Sequence, residues 1–276
     1  MRFKRNNQPE MAISEHELTA MTAELDMLHN ETFGGVAKTL DEFSANLAHM
    51  SRGSNTARRS FLVGVGGAAV LGTVAACSSS GGTKSSTTPS PTSTGTGSGS
   101  SSSTTATSKY TGDLKVVALA AALENLAVTA YAGALAAAGK GTYGKVPPAV
   151  ATFVTTAMAQ HKDHAAAWNG VLTKASLPAV TGAPLTITKD QVAMLNAAKS
   201  IPDVATLALN LENAAAQTYT FATANVTDAG GIMTAATIQP VEAMHAAILS
   251  FVLGKYPVPD AYIGISGAVQ PTALTI

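Results

Sequence analysis

The 276-residue chain carries 17 basic and 17 acidic residues, and this balance gives no reason to expect nucleic acid or an anionic membrane patch as its partner. Charged residues make up 12% of the chain and aromatic residues 5%, while alanine is abundant, which favours closely packed helices over sheets. The single cysteine, Cys77, excludes an internal disulfide.

Two short amphipathic helices are predicted within residues 1–57. Ser14 and Glu17 have the spacing of a capping box at a helix start. Apolar residues then recur at helical spacing in two runs, Leu18, Met21, Leu25 and Leu28, followed by Val36, Leu40, Phe43, Leu47 and Met50. We expect this extension to stay in the cytoplasm until export. The alternative is a misassigned start, with translation beginning at Met50.

An export signal is predicted at residues 58–76. Arg58 and Arg59 stand directly before an apolar stretch, which is the twin-arginine pattern. The stretch is shorter than the roughly 20 residues that span a bilayer, and this fits a signal peptide better than a permanent anchor. It ends in Val-Ala-Ala-Cys at Cys77, which resembles a bacterial lipobox, where the cysteine is lipidated and the chain is cut just before it.

This resemblance implies two partners, the twin-arginine translocase during export and the membrane through the lipidated Cys77. It places the protein on the outer face of the bacterial cytoplasmic membrane. An uncleaved signal anchor with a buried free thiol is the alternative. Residues 77–109 consist almost wholly of Ser, Thr, Gly and Pro, which predicts a disordered tether between the lipid and the folded domain.

Residues 110–276 are predicted to fold as an all-α four-helix bundle with a C-terminal tail. The predicted helices, whose ends are marked by glycine and proline, are 114–138, 148–174, 202–226 and 233–253. Short turns join the first helix to the second and the third to the fourth, so each pair should form an antiparallel hairpin. A long crossover at 175–201, with a short helix around 191–198, joins the two hairpins.

Every glutamate and histidine after Cys77 belongs to a motif that occurs twice. LENLAVTAY in the first helix returns as LENAAAQTY in the third, and HKDH in the second corresponds to EAMH in the fourth. Residues three apart on a helix share a face. His161 and His164 should therefore project together from the second predicted helix, and Glu242 and His245 from the fourth. The predicted ligands of a buried metal are Glu124, His161, His164, Glu212, Glu242 and His245.

Buried carboxylates without compensation would cost several kcal/mol each, and a divalent cation would offset that cost. Oxygen and nitrogen ligands without a thiolate favour iron or manganese, with zinc as a further candidate. For any one motif alone, the alternative is a solvated pair on a helix surface. Tyr131 and Tyr219, two turns after Glu124 and Glu212, could hydrogen-bond a ligand carboxylate or carry a radical; the alternative is a core aromatic with a satisfied hydroxyl.

These motifs resemble those of the ferritin-like superfamily, whose di-iron members carry one Glu on each of two helices and Glu-x-x-His on each of the other two. With its signal, the chain is most similar to exported actinobacterial ferritin-like domain proteins related to plant desiccation-response proteins. The resemblance implies terminal carboxylate ligands at Glu124 and Glu212, a bridging carboxylate at Glu242 and imidazole ligands at His164 and His245. His161 stands where the family has its second bridging glutamate, which leaves a mononuclear site or an asymmetric pair as alternatives to a di-iron site.

Two classes of function follow. In the first, bound ferrous iron reacts with oxygen or peroxide and protects the cell envelope or oxidises a substrate. In the second, the domain is a non-catalytic, stress-associated structural or binding domain that is stabilised by metal or contains none. Cage-type iron storage is not expected, because a lipid tether is hard to reconcile with a closed shell. A homodimer is left open.

Overall fold

The computed structural model describes residues 13–63 and 108–276, with the backbone alone for residues 50–63. Cys77 and most of the predicted signal and tether lie outside the described residues. Arg58 and Arg59 lie in the part for which only the backbone is described. Export, lipidation and membrane attachment therefore stay predictions.

The described residues form an all-α fold, as predicted. Its seven α-helices are α1 (Glu15–Phe33), α2 (Val36–Val63), α3 (Asp113–Gly139), α4 (Pro148–Lys174), α5 (Thr188–Ala197), α6 (Ile201–Asn225) and α7 (Ala229–Val252). A short 3-10 helix, Pro271–Ala273, follows in the tail, and a single antiparallel bridge joins Leu185 to Leu274. No strand longer than this bridge occurs in the described part of the chain.

Two hairpins make up the bundle. Helix α3 packs mainly on α4 and helix α6 on α7, while α3 also contacts α6 and the crossover helix α5. Helix α4 begins with Pro148, whose missing amide hydrogen costs nothing in a first turn, and Ser200 caps α6 by accepting from the Asp203 amide. The predicted pairing of helices into two hairpins joined by a long crossover is confirmed.

Helix α7 begins at Ala229 rather than near Met233 as predicted. Asp228 is its N-cap, and its carboxylate accepts hydrogen bonds from the amides of Gly230 and Gly231. These capping bonds satisfy donors that would otherwise be unpaired at the start of a helix, so they offset the low helix propensity of two glycines. Pro240 lies inside the helix, just before the predicted ligand Glu242.

The N-terminal helices pack on the bundle. Residues 13–51 and 108–276 belong to one compact unit, in which α1 contacts α4 and α7. The second unit, Arg52–Ala106, includes the end of α2. Both predicted N-terminal helices are present, but the buried stripe of α1 is Leu18, Thr22, Leu25 and His29. Thr22 and His29 thus take the buried positions predicted for Met21 and Leu28.

Helix α2 lies close to the start of α7. Phe43 is fully buried and packs against Gly231, and a Cβ added at Gly230 would lie 2.6 Å from the Thr39 carbonyl oxygen. The Asn46 side-chain amide also donates to the N-cap carboxylate of Asp228 at 2.8 Å. The missing side chain at Gly230 therefore allows the two helices to approach.

Helices α3 and α7 are long and apolar enough to cross a membrane. This is weak evidence for membrane insertion, because the core helices of soluble bundles pass the same test of length and hydropathy. Both helices place a glutamate in the bundle interior, at Glu124 and Glu242.

Candidate metal centre

The six predicted ligands converge at the centre of the bundle. Each comes from one of the four bundle helices, and none is more than 2% exposed: Glu124, His161, His164, Glu212, Glu242 and His245. Apolar clusters lie on both sides of this polar layer, one containing Trp168 and the other Phe153. The surface alternative is therefore wrong, because all four motifs face inward.

The six side chains form two overlapping groups of four, and each group could hold one ion. In each group, one ligand atom per residue lies within 4.8 Å of the others. The first group, here called subsite A, contains Glu124, His161, His164 and Glu242. The second, subsite B, contains His161, Glu212, Glu242 and His245. His161 and Glu242 are shared by both subsites.

His161 lies between the glutamates of the two hairpins. Its Nδ1 is 2.7 Å from Glu124 Oε2, and its Nε2 is 3.2 Å from Glu212 Oε1. Its Nδ1 is also 3.8 Å from Glu242 Oε2. His161, which stands where the second hairpin has Glu242, thus occupies a central position with one ring nitrogen facing each subsite.

His164 and His245 have matching orientations in the two subsites. Nδ1 of His164 lies 3.1 Å from Glu242 Oε1, and Nδ1 of His245 lies 3.5 Å from Glu242 Oε2. Their other nitrogens point away from the centre. His164 Nε2 is 3.2 Å from His29 Nε2, and His245 Nε2 is 2.9 Å from Gln160 Oε1. Both imidazoles therefore present Nδ1 to the carboxylates and hold Nε2 in an outer contact.

Three buried atoms at this centre lack a hydrogen-bond partner among the described residues. They are His164 Nδ1 and both carboxylate oxygens of Glu242. His164 Nδ1 and Glu242 Oε1 are only 3.1 Å apart, yet their orientation does not form a hydrogen bond. Unpaired buried polar atoms are costly, and a cation bound between the His164 nitrogen and the Glu242 carboxylate would give them a partner. The donor set therefore fits a metal ion.

The two tyrosines contact the carboxylates, each crossing to the other hairpin. The Tyr131 hydroxyl on α3 donates to Glu212 on α6, and the Tyr219 hydroxyl on α6 donates to Glu124 on α3. Trp168 Nε1 donates to the Tyr219 oxygen at 2.9 Å. Of the roles predicted for these tyrosines, the structure shows the hydrogen bond to a carboxylate.

At this site, interactions between neighbouring charged groups shift the pKa values in the direction opposite to the effect of burial. Burial alone would raise the pKa of Glu124, but the charge of His164 and the hydrogen bond from His161 lower it to about 2. Burial would lower the pKa of His164, but Glu124 and Glu242 raise it to about 9. The pKa of His161 is raised well above its ordinary value, since Glu242 and Glu212 outweigh burial. Without metal, these imidazoles are therefore protonated and paired with carboxylates.

Two further residues at the site were not predicted as part of it. His29 is buried on α1, and burial and the charge of His164 lower its pKa to about 4. Gln160 is buried on α4 directly before His161, and its side-chain nitrogen is 3.4 Å from Asp26 Oδ1 on α1. The position of His29 at helical spacing after Leu18 and Leu25 is the one sequence signal that could have placed it on a buried face.

An apolar cavity of about 430 Å³ lies beside subsite B. Its described lining contains no charged side chain, and it includes Tyr131 and Phe153. The Tyr131 ring stacks on His161 at 5.7 Å between centroids, and the Phe153 ring meets His245 edge-on at 6.2 Å. One layer of aromatic rings therefore separates the cavity from the ligands, and no sequence feature had indicated it.

Comparison with known proteins agrees with the fold and the site. Neither a curated protein nor a solved structure matches the chain. Residues 112–255, just over half of the chain, match the family model described as a ferritin-like domain. This range begins immediately before α3, ends shortly after α7 and contains all six converging side chains. The chain therefore belongs to the ferritin-like domain family.

Proposed function

We propose that this protein is an exported, membrane-anchored metalloprotein whose ferritin-like bundle holds iron between its two hairpins. The observation that carries the proposal is the convergence of three glutamates and three histidines in a buried layer, where Glu242 has no hydrogen-bond donor among the described residues. Oxygen and nitrogen donors without thiolate suit iron or manganese, and zinc is the third candidate.

The two subsites support a pair of ions rather than one. Glu124 and His164 would hold an ion in subsite A, and Glu212 and His245 one in subsite B. Glu242 has an oxygen toward each imidazole of the pair, which suits a shared ligand. His161 presents a nitrogen to each side, but it also hydrogen-bonds both terminal glutamates, so it could ligate either ion.

The chemistry that bound ferrous iron would supply is electron transfer to oxygen or peroxide, in protection of the envelope or in oxidation of a substrate. The chain's own residues support this by burying the ligands and by excluding charged groups from the adjacent cavity. The apolar walls beside Tyr131 would admit a small uncharged molecule such as dioxygen and would exclude hydrated ions. The tyrosine hydroxyls hold one oxygen of each terminal carboxylate, and the other oxygen faces an imidazole, that of His161 at Glu124 and that of His245 at Glu212.

A second candidate function is favoured by the balance of charge. Three carboxylates face three imidazoles whose pKa values are raised, so the layer can be electrically neutral without any ion. In this case the bundle is a metal-free, stress-associated structural or binding domain. The two candidates differ in one measurable quantity, the metal content of the full chain.

The test is metal analysis of the full chain loaded anaerobically with Fe²⁺, and separately with Mn²⁺ and Zn²⁺, followed by oxygen-uptake measurement. We expect up to two ions per chain and oxygen consumption with iron. Glu242→Gln removes a charge common to both subsites and should lower metal affinity by at least about 100-fold. The matched control is Asp163→Asn, which removes an exposed carboxylate from α4 and should leave metal content unchanged.

Full metal content in Glu242→Gln would contradict the assignment of the site. A wild-type chain that binds none of the three metals would establish the metal-free candidate instead. One ion per chain without oxygen uptake would leave a binding protein and remove the redox chemistry.

A further inference from the structure

Helix α1 reaches the metal centre from outside the ferritin-like domain, which begins at residue 112. We infer that His29 of α1 is a positioning residue of the metal centre: it accepts a hydrogen bond from His164 Nε2 and so directs Nδ1 of His164 toward the ion. This inference rests on the proposed function and extends it to a segment that precedes the predicted export signal.

The geometry of His164 allows one consistent assignment of its two nitrogens. Nδ1 faces Glu124 Oε2 at 3.5 Å and Glu242 Oε1 at 3.1 Å, and within residues 13–49 and 108–276 it has no hydrogen-bond partner. Nε2 faces His29 Nε2 at 3.2 Å. A ligand nitrogen must be free of its proton, so the proton of a neutral His164 belongs on Nε2 and the lone pair of His29 accepts it.

The contact between His29 and His164 is supported by the neighbouring ring of Phe33 and by the docking of α1. His29 is only 3% exposed, and its ring stacks on Phe33 with centroids 4.8 Å apart and planes 16° from parallel. Phe33 also lies 5.1 Å from the His164 ring. Because His29 and Phe33 are four residues apart on α1, the helix itself fixes their relation. The apolar anchors Leu18 and Leu25, on the same stripe of α1, are fully buried and dock the helix on the bundle.

His245, the matching histidine of subsite B, has a weaker, indirect contact with helix α1. His245 Nε2 meets Gln160 Oε1 at 2.9 Å, so a proton on this nitrogen is donated to the amide oxygen. The amide nitrogen of Gln160 then points to Asp26 Oδ1 at 3.4 Å. Asp26 and His29 are three apart on α1, so one face of this helix serves both imidazoles, directly at His164 and through an amide at His245.

If His29 had only a structural role, a different kind of side chain would be required at its position. If α1 merely covered the bundle, any apolar side chain that fills the His29 position would serve. If His29 positions His164, the replacement must keep an acceptor at the end of the side chain. Glutamine keeps such an oxygen, whereas leucine has none.

The experiment measures Co²⁺ binding to the full chain by chelator competition and by the visible absorption of the bound ion, which reports its ligand geometry. His29→Leu should weaken Co²⁺ binding by about 10- to 100-fold and alter the spectrum. His29→Gln should recover most of the affinity and the wild-type spectrum. His16→Leu is the matched control, because His16 is an exposed histidine on the same helix, and it should behave as wild type.

Each outcome decides one point. A wild-type chain that binds no Co²⁺ overturns the proposed function and this inference with it. Wild-type affinity and spectrum in His29→Leu overturn the inference alone, as does equal impairment of the Leu and Gln variants. If His29→Leu does not fold, His29→Ala keeps a good helix former at that position and is compared with His29→Gln in the same way.

Discussion

The two hairpins of the bundle carry the same motif and differ at one ligand position. Helix α4 of the first hairpin has His161 where α7 of the second has Glu242. The remaining elements match: a glutamate on the first helix, a tyrosine two turns later that reaches across to the other hairpin, and a histidine that presents Nδ1 inward. With a glutamate at position 161 the layer would contain four carboxylates and two imidazoles. With His161 it contains three of each.

This difference explains how the layer can stay buried without a metal. A fourth carboxylate would leave negative charge that only cations could offset, whereas His161 supplies a proton-bearing group between Glu124 and Glu212. In the proposed metalloprotein, the same ring would compete with the metal for those glutamates. The asymmetry between the hairpins would then set a balance between stability without metal and affinity for metal.

The largest expected effect comes from making the hairpins alike. His161→Glu should destabilise the metal-free chain by roughly 3–5 kcal/mol, because it replaces a buried partner by a fourth carboxylate. For a domain of this size that is a fall of about 10 °C in melting temperature. Saturating Fe²⁺ or Mn²⁺ should reverse the loss, with two ions per chain. Calorimetry with and without metal checks this, and Lys162→Glu, at the exposed neighbouring position, is the control.

A second prediction uses pH, since the first hairpin contributes two of the three imidazoles. The folded-state pKa of His164 is about 9 against an ordinary 6.5, so its contribution to metal-free stability is complete below pH 6.5 and is lost toward pH 9. His29, with a pKa of about 4, acts oppositely and costs stability as the pH falls from 6.5 to 4. Glu124, lowered from 4.5 to about 2, loses its contribution toward pH 2.

Three other groups in this layer act in the same directions, because the pKa values of His161 and His245 are raised and that of Glu212 is lowered. Stability of the metal-free chain should therefore be greatest near pH 6.5 and fall on both sides. Denaturant unfolding across the pH range checks this. A stability that keeps rising from pH 6.5 to 9 would show that the imidazoles are not paired as ions.

The crossing tyrosines give a smaller difference between the hairpins. Tyr131→Phe removes one donor from Glu212 and should cost about 1–2 kcal/mol. Tyr219→Phe removes a donor from Glu124 and also leaves the Trp168 Nε1–H without its acceptor, so about 2–3 kcal/mol is expected. Denaturant unfolding of both variants measures the ranking. Equal losses would mean that the bond to Trp168 adds nothing.

Effects of opposite sign are expected at two helical glycines, one in each hairpin. Gly230→Ala in α7 would bring a methyl group to 2.6 Å from the Thr39 carbonyl oxygen, so a loss of about 1–3 kcal/mol is expected. Gly170→Ala in α4 meets nothing within 4 Å and should gain up to about 1 kcal/mol from helix propensity. Thermal unfolding measures both. The same sign in both variants would contradict the packing of α2 against α7.

Much of the bundle could be predicted from local signals. Pro148, Pro202 and the glycines near position 139 bound the helices within a few residues, because the effects of proline and glycine are local. The convergence of the six side chains followed from motif repetition and helical spacing. Helix α7 begins earlier than predicted, because capping by Asp228 stabilises a first turn that contains two glycines.

The outer contacts could not be predicted, because they join segments whose relation depends on tertiary packing. Neither His29 nor Gln160 is part of the repeated motifs, and their partners lie 135 and 85 positions away in the chain. The rotation of α1 that buries His29 instead of Leu28 is decided by the surface of α4 and α7. Likewise, the tyrosine spacing indicated a shared face with each glutamate, while the actual bonds cross between helices.

The placement of α1 has a consequence for any chain that is cut at the predicted lipobox. Helices on both sides of the segment 52–106 belong to one compact unit. Hydrolysis of the bond before Cys77 would convert that unit into a two-chain assembly, in which the N-terminal piece is retained by buried contacts such as those of Leu18 and Leu25 and can be released or exchanged. Peptide-bond cleavage would thereby make the partner of His164 a dissociable subunit.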